Sequence, residues 1–367
     1  QRRLVEQVRQ QGMRMIGPNC FGLVNADPSV RLNATFGSVF PPPGHVAMSS
    51  QSGALGLAIL AAAHRLQLGI STFVSVGNKA DVSGNDLLQY WEEDPATNVI
   101  LLYLESFGNP RRFARIARRV TRRKPIIAVK AGRTQAGGRA AGSHTAALAA
   151  SDVAVEALFR QTGVIRAETL EEMFVLAAGL AHQPLPAGRR VGIVTNAGGP
   201  AILCTDGCEA GGLMVPELSD GTKARLASFL PPAAAVKNPV DLIASASPEQ
   251  YRRAIETILA ADEVDALIVL YISVSAVDTA PIAEGILAGV AAGRAAGGTG
   301  KPVLVCWMAE GDRERSFTLK NETIPTYPLP EMPARVLSRA AAYAQWRIRP
   351  PGLIPDFSDL ALPLARE

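Results

Sequence analysis

Ala141-Gly142-Ser143-His144-Thr145-Ala146-Ala147-Leu148 sets one histidine among small residues, between a glycine-rich loop and a helical pattern. The loop begins at Lys130 and carries Gly132, Gly137, Gly138 and Gly142, with no large apolar side chain. Glycine permits many backbone conformations and nothing here anchors the loop by burial, so the composition predicts a segment that can move. Three roles are open to an imidazole in that setting: proton carrier, metal ligand or nucleophile.

A second constellation is Ser49-Ser50-Gln51-Ser52-Gly53, which follows a strand-like run and opens a helix. Free backbone N–H groups and small side chains there suit a phosphate or another anion; an ordinary serine N-cap is the plainer alternative. The turn is not a Walker A loop, because no Gly-Lys-[Ser/Thr] follows. Nor is it Gly-x-Ser-x-Gly, because Ser50 stands two residues before Ser52. Asn196-Ala197-Gly198-Gly199-Pro200 repeats the device, with Pro200 at a helix start, where a missing N–H costs nothing. Glu105 closes the apolar run Val99-Ile100-Leu101-Leu102-Tyr103-Leu104. It reads equally as a solvent-facing strand end or as a carboxylate that fixes the tautomer of an imidazole and leaves the other nitrogen as nucleophile. His45, His64 and His182 read as structural, and Asn238-Pro239-Val240-Asp241 as a turn, with substrate or nucleotide contacts as the weaker alternative.

The elements that must position these groups alternate. Strand-like runs cover 13–16, 46–50, 71–76, 99–105, 125–131 and 164–166, with helical patterns at 1–11, 54–67, 85–93, 110–122, 151–161 and 170–182. Continuous apolar strands between helices predict a parallel sheet covered on both faces. Residues 182–188 read as a linker. The pattern then restarts, with strands at 191–195, 213–216, 266–272 and 302–308 and helices at 200–210, 223–230, 249–261, 282–296 and 333–347. The expected fold is α/β, with two doubly wound domains. In such sheets ligands bind at the carboxyl ends of the strands, where the strand order reverses. That rule brings the Ser-rich turn, Gly77-Asn78-Lys79-Ala80-Asp81, Glu105 and the His144 loop to one edge. A flavodoxin-like order, 2-1-3-4-5, would place the Ser-rich turn and Glu105 on either side of the switch point.

Composition sets the outer bounds. A chain of 367 residues is too long for one ordinary core. Hydrophobic content of 48% with 19% charge reads as a soluble α/β protein. No apolar run is long enough to span a bilayer and no signal peptide opens the chain, so a cytoplasmic protein without membrane contacts is expected. Cys20, Cys204, Cys208 and Cys306 form no Cys-x-x-Cys pair and read as free thiols rather than metal ligands. Much of the net charge of +4 comes from the basic run between Arg111 and Lys124. This reads as a solvated helix face whose C-terminal cations suit the helix dipole. No nucleic-acid-binding module accompanies it, and a docking surface for an acidic partner or a phosphorylated cofactor is the other reading.

Taken together, these residues resemble the nucleotide-diphosphate-forming acyl-CoA synthetases, the superfamily of succinyl-CoA synthetase and ADP-forming acetyl-CoA synthetase. The resemblance rests on Ile16-Gly17-Pro18-Asn19-Cys20-Phe21-Gly22, Ser49 to Leu55, Gly77 to Asp81, Asp94-Pro95, Tyr103-Leu104-Glu105, Lys130-Ala131-Gly132-Arg133, Gly142-Ser143-His144-Thr145, Thr195 to Pro200 and Asn238 to Asp241, in the family's order. It implies that His144 is the transiently phosphorylated histidine and Glu105 its stabilising carboxylate. Ser52, Gly53, Asn196, Gly198 and Gly199 would belong to two helix N-termini that hold the phosphoryl group, and Pro18, Asn19, Asn78 and Lys79 to the CoA and substrate side. Coenzyme A, ADP or ATP, and phosphate are the implied ligands, with Mg²⁺ expected only alongside an ATP-grasp domain.

The implied domains are 1–40, the last part of a Rossmann CoA-binding domain; 41–183, a ligase domain with the phosphohistidine loop; 188–350, a second flavodoxin-like ligase domain; and 351–367, a tail. The glycine-rich start of the CoA-binding domain and an ATP-grasp domain are not found in the sequence. The chain is therefore expected to be a fragment that needs an ATP-grasp domain or subunit, in a homo- or hetero-oligomer. Ala146 departs from the glycine usual in the family after His-Thr. Two other readings compete: a non-catalytic, CoA-responsive or scaffold module fused to a lysine acetyltransferase, and a hydrolase using Ser52, for which no positioned base is apparent.

Overall fold

The computed structural model describes residues 1–134, 136–137, 139, 152–273, 279–309, 316–319 and 322–350. The chain opens with α1 (Arg2–Gln10) and the antiparallel hairpin β1 (Gly22–Asn25) and β2 (Leu32–Thr35). The first α/β unit follows: β3 (Pro43–Ser50), α2 (Gly53–Arg65), β4 (Ile70–Ser75), α3 (Gly84–Glu93), β5 (Val99–Leu104), α4 (Pro110–Val120), β6 (Ile126–Lys130), α5 (Asp152–Thr162), β7 (Ile165–Ala167) and α6 (Leu170–His182). The second comprises β8 (Val191–Thr195), α7 (Gly198–Ala210), α8 (Asp220–Ala227), β9 (Val240–Asp241), α9 (Pro248–Ala260), β10 (Ala266–Ile272), α10 (Ala280–Gly293), β11 (Val303–Met308), β12 (Ser316–Leu319), β13 (Glu322–Tyr327) and α11 (Glu331–Ile348).

The helix starts are set locally. The side chains of Ser52, Asn109, Thr169, Ser219 and Ser247 each accept a backbone N–H of the helix that follows. Strands β5 and β6 run as unbroken apolar sequence because both faces are covered, and Val99, Ile100, Leu101, Ile126, Ile127 and Ala128 are fully buried.

The first sheet has the order β2-β1-β4-β3-β5-β6-β7. Its parallel strands, counted from β3, run 2-1-3-4-5, the flavodoxin-like order, and β1 adds antiparallel to β4. The second sheet, β12-β13-β11-β10-β8-β9, has the same 2-1-3-4-5 core counted from β8, with β12 as an antiparallel edge. Both strand orders reverse between the first and third strands, which puts β3 beside β5 and β8 beside β10.

The two sheets share a middle layer. One apolar core runs from Val46, Met48 and Leu101 through Met173, Phe174 and Leu176 of α6 and Val336 and Leu337 of α11 to Ile193, Ile268 and Leu304. Separate clusters cover the outer faces, under α3, α4 and α5 on one side and under α8, α9 and α10 on the other. A further tie joins the units: the Tyr343 hydroxyl donates to the Thr121 carbonyl at 2.6 Å. Cys204, Cys208 and Cys306 are buried free thiols of the middle layer, and Cys20 is half-buried.

Two strands expected from sequence take other forms. Residues 13–16 make no strand. Their backbone instead pairs with the 81–82 loop, through Met15 N–H to Asp81 and Val82 N–H to the Met15 carbonyl. Residues 213–216 contribute one bridge, Met214 to Arg190, and the neighbouring position along β8 is taken by β9, which composition reads as part of a turn. The cause is Asn238. Its carboxamide donates to the carbonyls of Val191 and Pro216 at 2.9 and 3.0 Å and accepts Ile193 N–H at 3.0 Å, stitching both stretches to β8. Strands β1, β2, β12 and β13 have no counterpart in the sequence reading. Each is an edge strand or next to one, and β1 and β2 have too little buried apolar content to show a pattern.

Candidate functional site

The β3–α2 turn is built from its own hydroxyls. Ser50 is fully buried; its Oγ donates to the Ser52 carbonyl at 2.8 Å and accepts Ser52 N–H at 3.2 Å. Ser52 Oγ accepts Leu55 N–H at 3.3 Å, capping α2. A Cβ on Gly53 would meet the backbone N of Phe21 at 3.3 Å, so this helix start must be small where residues 20–21 cross it.

Gln51 reaches across the switch point. Its Oε1 accepts the N–H groups of Glu105 and Ser106, both at 2.9 Å, and its Nε2 donates to the Ser106 carbonyl at 2.7 Å. The backbone of Glu105 is therefore held at the end of β5 by a side chain of the Ser-rich turn.

The 17–20 segment lies on the 77–80 turn. Asn78 N–H donates to the Pro18 carbonyl at 3.0 Å, Ala80 N–H to the Gly17 carbonyl at 3.1 Å, and Asn19 Nδ2 to Asn78 Oδ1 at 3.4 Å. Gly77 is required on two counts: its φ is +49°, and a Cβ would stand 2.3 Å from the Asn19 carbonyl oxygen. The sequence-identified residues Pro18, Asn19, Asn78 and Lys79 are thus together.

Asp81 fixes that contact from below. Its fully buried carboxylate accepts Arg14 Nε at 2.9 Å, Met15 N–H at 2.9 Å and Arg9 Nε at 3.0 Å. These bonds, led by that from Arg14, hold the Asp81 carboxyl far below the usual carboxylate range. A depressed folded pKa stabilises the protein above the unfolded value, about 3.9, and that contribution is lost as pH falls below it. Asp81→Asn is expected to lower the urea midpoint at pH 7. The gap to the parent protein should shrink as the pH is lowered from 7 to about 3. Denaturation curves of both proteins across that range check it.

Two lysines lie within the electrostatic reach of Glu105. Lys79 Nζ donates to Ser106 Oγ at 2.7 Å and to the Ser106 carbonyl at 3.2 Å. Burial pushes the Lys79 ammonium down from its usual range, with Glu105 opposing and Lys130 assisting the shift. Lys130 is only 6% exposed and is likewise pushed down by burial, with Asp152 and Glu105 opposing. Sequence reasoning left Lys130 and Gln51 without roles. The available signal for Lys130 was a charged residue closing an apolar strand.

The second unit reproduces the first turn. Thr195 Oγ1 donates to the Ala197 carbonyl at 3.0 Å and accepts Ala197 N–H at 3.1 Å, as Ser50 does with Ser52. Asn196 spans to the third strand of its sheet, accepting Ile272 N–H at 3.0 Å and donating to the Ile272 carbonyl at 2.9 Å, as Gln51 does to residues 105–106. Gly198 opens α7, and among the described residues no atom of another part of the fold lies within 4 Å of a Cβ built on Gly199. The Asn196 side chain is thus engaged within the protein, while the helix start beyond it carries no side chain. His144 lies outside the described residues.

Each sheet therefore presents, at its switch point, a hydroxyl-braced turn, a bridging carboxamide and a glycine-opened helix. One of them also carries a carboxylate at its strand end, near enough to Lys79 and Lys130 to act on both electrostatically. Such an edge can receive a dianion and stabilise charge transferred to it.

The family described as succinyl-CoA ligase like flavodoxin domain matches residues 43–180, and the Ligase-CoA domain matches residues 191–353. The alpha subunit of acetate–CoA ligase [ADP-forming] II from Pyrococcus furiosus is 44% identical over 347 residues, covering 94% of this chain and 73% of that protein. The chain belongs to the ADP-forming acyl-CoA synthetases. The synthetase is also 32% identical over 361 residues to 4-hydroxybutyrate–CoA ligase [ADP-forming] of Nitrosopumilus maritimus, covering 97% of this chain and 51% of that protein. Among solved structures it matches the dinucleotide-forming acetyl-coenzyme A synthetase 1 of Ca. Korarchaeum cryptofilum in complex with phosphate and ADP. That match has a TM-score of 0.85 at 38% identity, over 94% of this chain and 74% of the other. The synthetase is thus part of an acid–thiol ligase that forms a nucleoside diphosphate. The similarity does not support a scaffold module fused to a lysine acetyltransferase. Among the described residues, no helix is long and apolar enough to cross a membrane.

Proposed function

We propose that the chain, together with an ATP-grasp domain or subunit, interconverts acyl-CoA, phosphate and ADP with carboxylate, CoA and ATP. Phosphate attacks the thioester carbonyl, the C–S bond breaks, and CoA thiolate leaves with an acyl phosphate remaining. A nitrogen of His144 then attacks phosphorus. The P–O bond to the acyl group breaks and the carboxylate leaves. The phosphohistidine finally passes its phosphoryl group to ADP.

The observation that carries this reading is the duplicated switch-point device, with Glu105 pinned beside the first copy. Two helix N-termini, at Gly53 and at Gly198, offset the charge that phosphorylation adds, each by about 0.3–1 kcal/mol or more where water is excluded. Ser52, Gly53, Gly198 and Gly199 would act chiefly through backbone N–H groups. Asn196 would act by holding its turn. Pro18, Asn19, Asn78 and Lys79 would line the CoA and substrate side. CoA, phosphate and ADP or ATP are the ligands, and Mg²⁺ would arrive with the ATP-grasp partner.

Oxygen transfer tests the route. The synthetase with its ATP-grasp partner, given acyl-CoA, ADP and phosphate labelled with ¹⁸O at every oxygen, should place one labelled oxygen in the carboxylate and three in the γ-phosphate of ATP. A carboxylate whose new oxygen comes from solvent would point to hydrolysis, as the Ser52 reading requires, and would overturn the proposal.

A further inference from the structure

The ladder between β5 and β6 ends at Lys130, which pairs with Leu104. One residue on, Ala131 N–H donates to the Leu104 carbonyl at 2.8 Å. Gly132 then takes a φ of +75°, the left-handed region that favours glycine, so the backbone changes direction at the start of the segment that leads to His144. The Ala131 carbonyl, the last acceptor before that change, takes a hydrogen bond from the Lys130 ammonium. At the far end of the segment stands Asp152, the first residue of α5, whose carboxylate accepts Arg166 Nη2 at 2.6 Å and favours the charge on Lys130. Both ends of the segment therefore act on one ammonium group, the first through a hydrogen bond and the second through charge.

That ammonium is unfavourably placed for stability alone. Lys130 is buried, yet among the described residues no carboxylate forms an ion pair with it. Asp152 and Glu105 act on it from longer range, and Arg166 opposes them. Burying a charge without an ion-pair partner is destabilising, and a methionine of similar shape would remove the penalty. A task at this edge accounts for the lysine where packing does not.

We propose that Lys130 is a positioning residue for phosphoryl transfer: its protonated ammonium fixes the Ala131 peptide, and so the direction in which the His144 segment leaves the sheet next to Glu105. This rests on the proposed function, in which His144 must come to the edge where Glu105 follows β5. Protonation matters because a charge-assisted hydrogen bond to a carbonyl is about twice as strong as a neutral one. The charged groups that face the ammonium are Glu105 and Lys79 at the strand ends, Asp152 of α5 and Arg166 of β7. Burial lowers the ammonium from its usual range, which brings the loss of its charge within reach of experiment.

Lys130→Met tests the assignment in the complete synthetase with its ATP-grasp partner, by single-turnover labelling from ATP. At pH 7 the variant should label about 10–100-fold more slowly than the parent, the loss expected when a reacting group is misplaced. Methionine stands in for a lysine without its charge. The parent's advantage should therefore shrink as the pH rises from 7 toward about 10.5, where the parent lysine is itself neutral. Titration of Lys79 affects both proteins and drops out of the ratio. The urea midpoint of the variant at pH 7 should equal or exceed that of the parent, because a buried charge is gone. Labelling at the parent rate, a deficit of the same size at both ends of that pH range, or a midpoint below the parent's would each overturn the inference. A parent enzyme that takes no label from ATP would strike the proposed function instead.

Discussion

His144→Ala is expected to abolish the phosphoenzyme and, with it, acyl-CoA-driven ATP formation. A histidine that forms a covalent intermediate cannot be replaced by a methyl group, and loss of a nucleophile typically costs on the order of 10⁴–10⁶ in kcat. The imidazole is suited to the task because its ordinary pKa, about 6.5, leaves a free nitrogen lone pair at neutral pH. The variant separates the two halves of the reaction. Acyl-CoA and phosphate should still yield acyl phosphate and CoA, because that step uses the substrate binding edge and not the imidazole. Acyl phosphate can be trapped with hydroxylamine, and the phosphoenzyme appears as an acid-labile, base-stable label from ATP. A label that persists in His144→Ala would remove the residue from the mechanism.

Glu105→Gln should produce the second largest effect, a loss of about 10²–10⁴ in the rate of phosphoenzyme formation, the span expected when one partner in proton handling is removed. The substitution keeps the shape of the side chain, and the bonds that Gln51 makes go to the backbone of residues 105 and 106. The turn should therefore remain in place, and the effect should report charge and tautomer. A second signature has a definite sign. Glu105 raises the pKa of both Lys79 and Lys130 against the lowering by burial. Removing it leaves both ammonium groups easier to deprotonate, so the alkaline limb of the pH–rate profile should move to lower pH. Single-turnover labelling from ATP across pH 6 to 10 measures both. An alkaline limb that stays fixed, together with a rate within a few-fold of the parent, would return Glu105 to the role of a strand end.

Much of the architecture follows from local sequence. The runs at 191–195 and 266–272 are strands of those bounds, buried on a two-sided sheet except for the half-buried Ile272, and their short length and β-branched content, not their period, mark such segments. Helix starts were legible where Ser, Thr, Asn or Pro stands at the cap, as at Asn109-Pro110 and Ser247-Pro248. The strand-like run at 13–16 misled because an extended backbone with apolar side chains has the same composition whether its partner is a sheet or a loop.

Sequence by itself determined the chemical candidates. His144, Glu105, the two glycine-opened turns and the Asn78-Lys79 pair are legible from residue type and position relative to strand ends, both of which are local, and the Pro18-Asn19 pair from the family resemblance. Tertiary structure alone decided how the described ones are held. Gln51 and Asn196 look like ordinary turn residues until strand order puts residues 105–106 and Ile272 beside them. Lys130 looks like a strand terminus until the fold buries it near Glu105. The reason is physical: burial and non-local hydrogen bonding depend on which strands are neighbours, and neighbourhood across 54 or 76 residues of chain leaves no periodic trace in sequence.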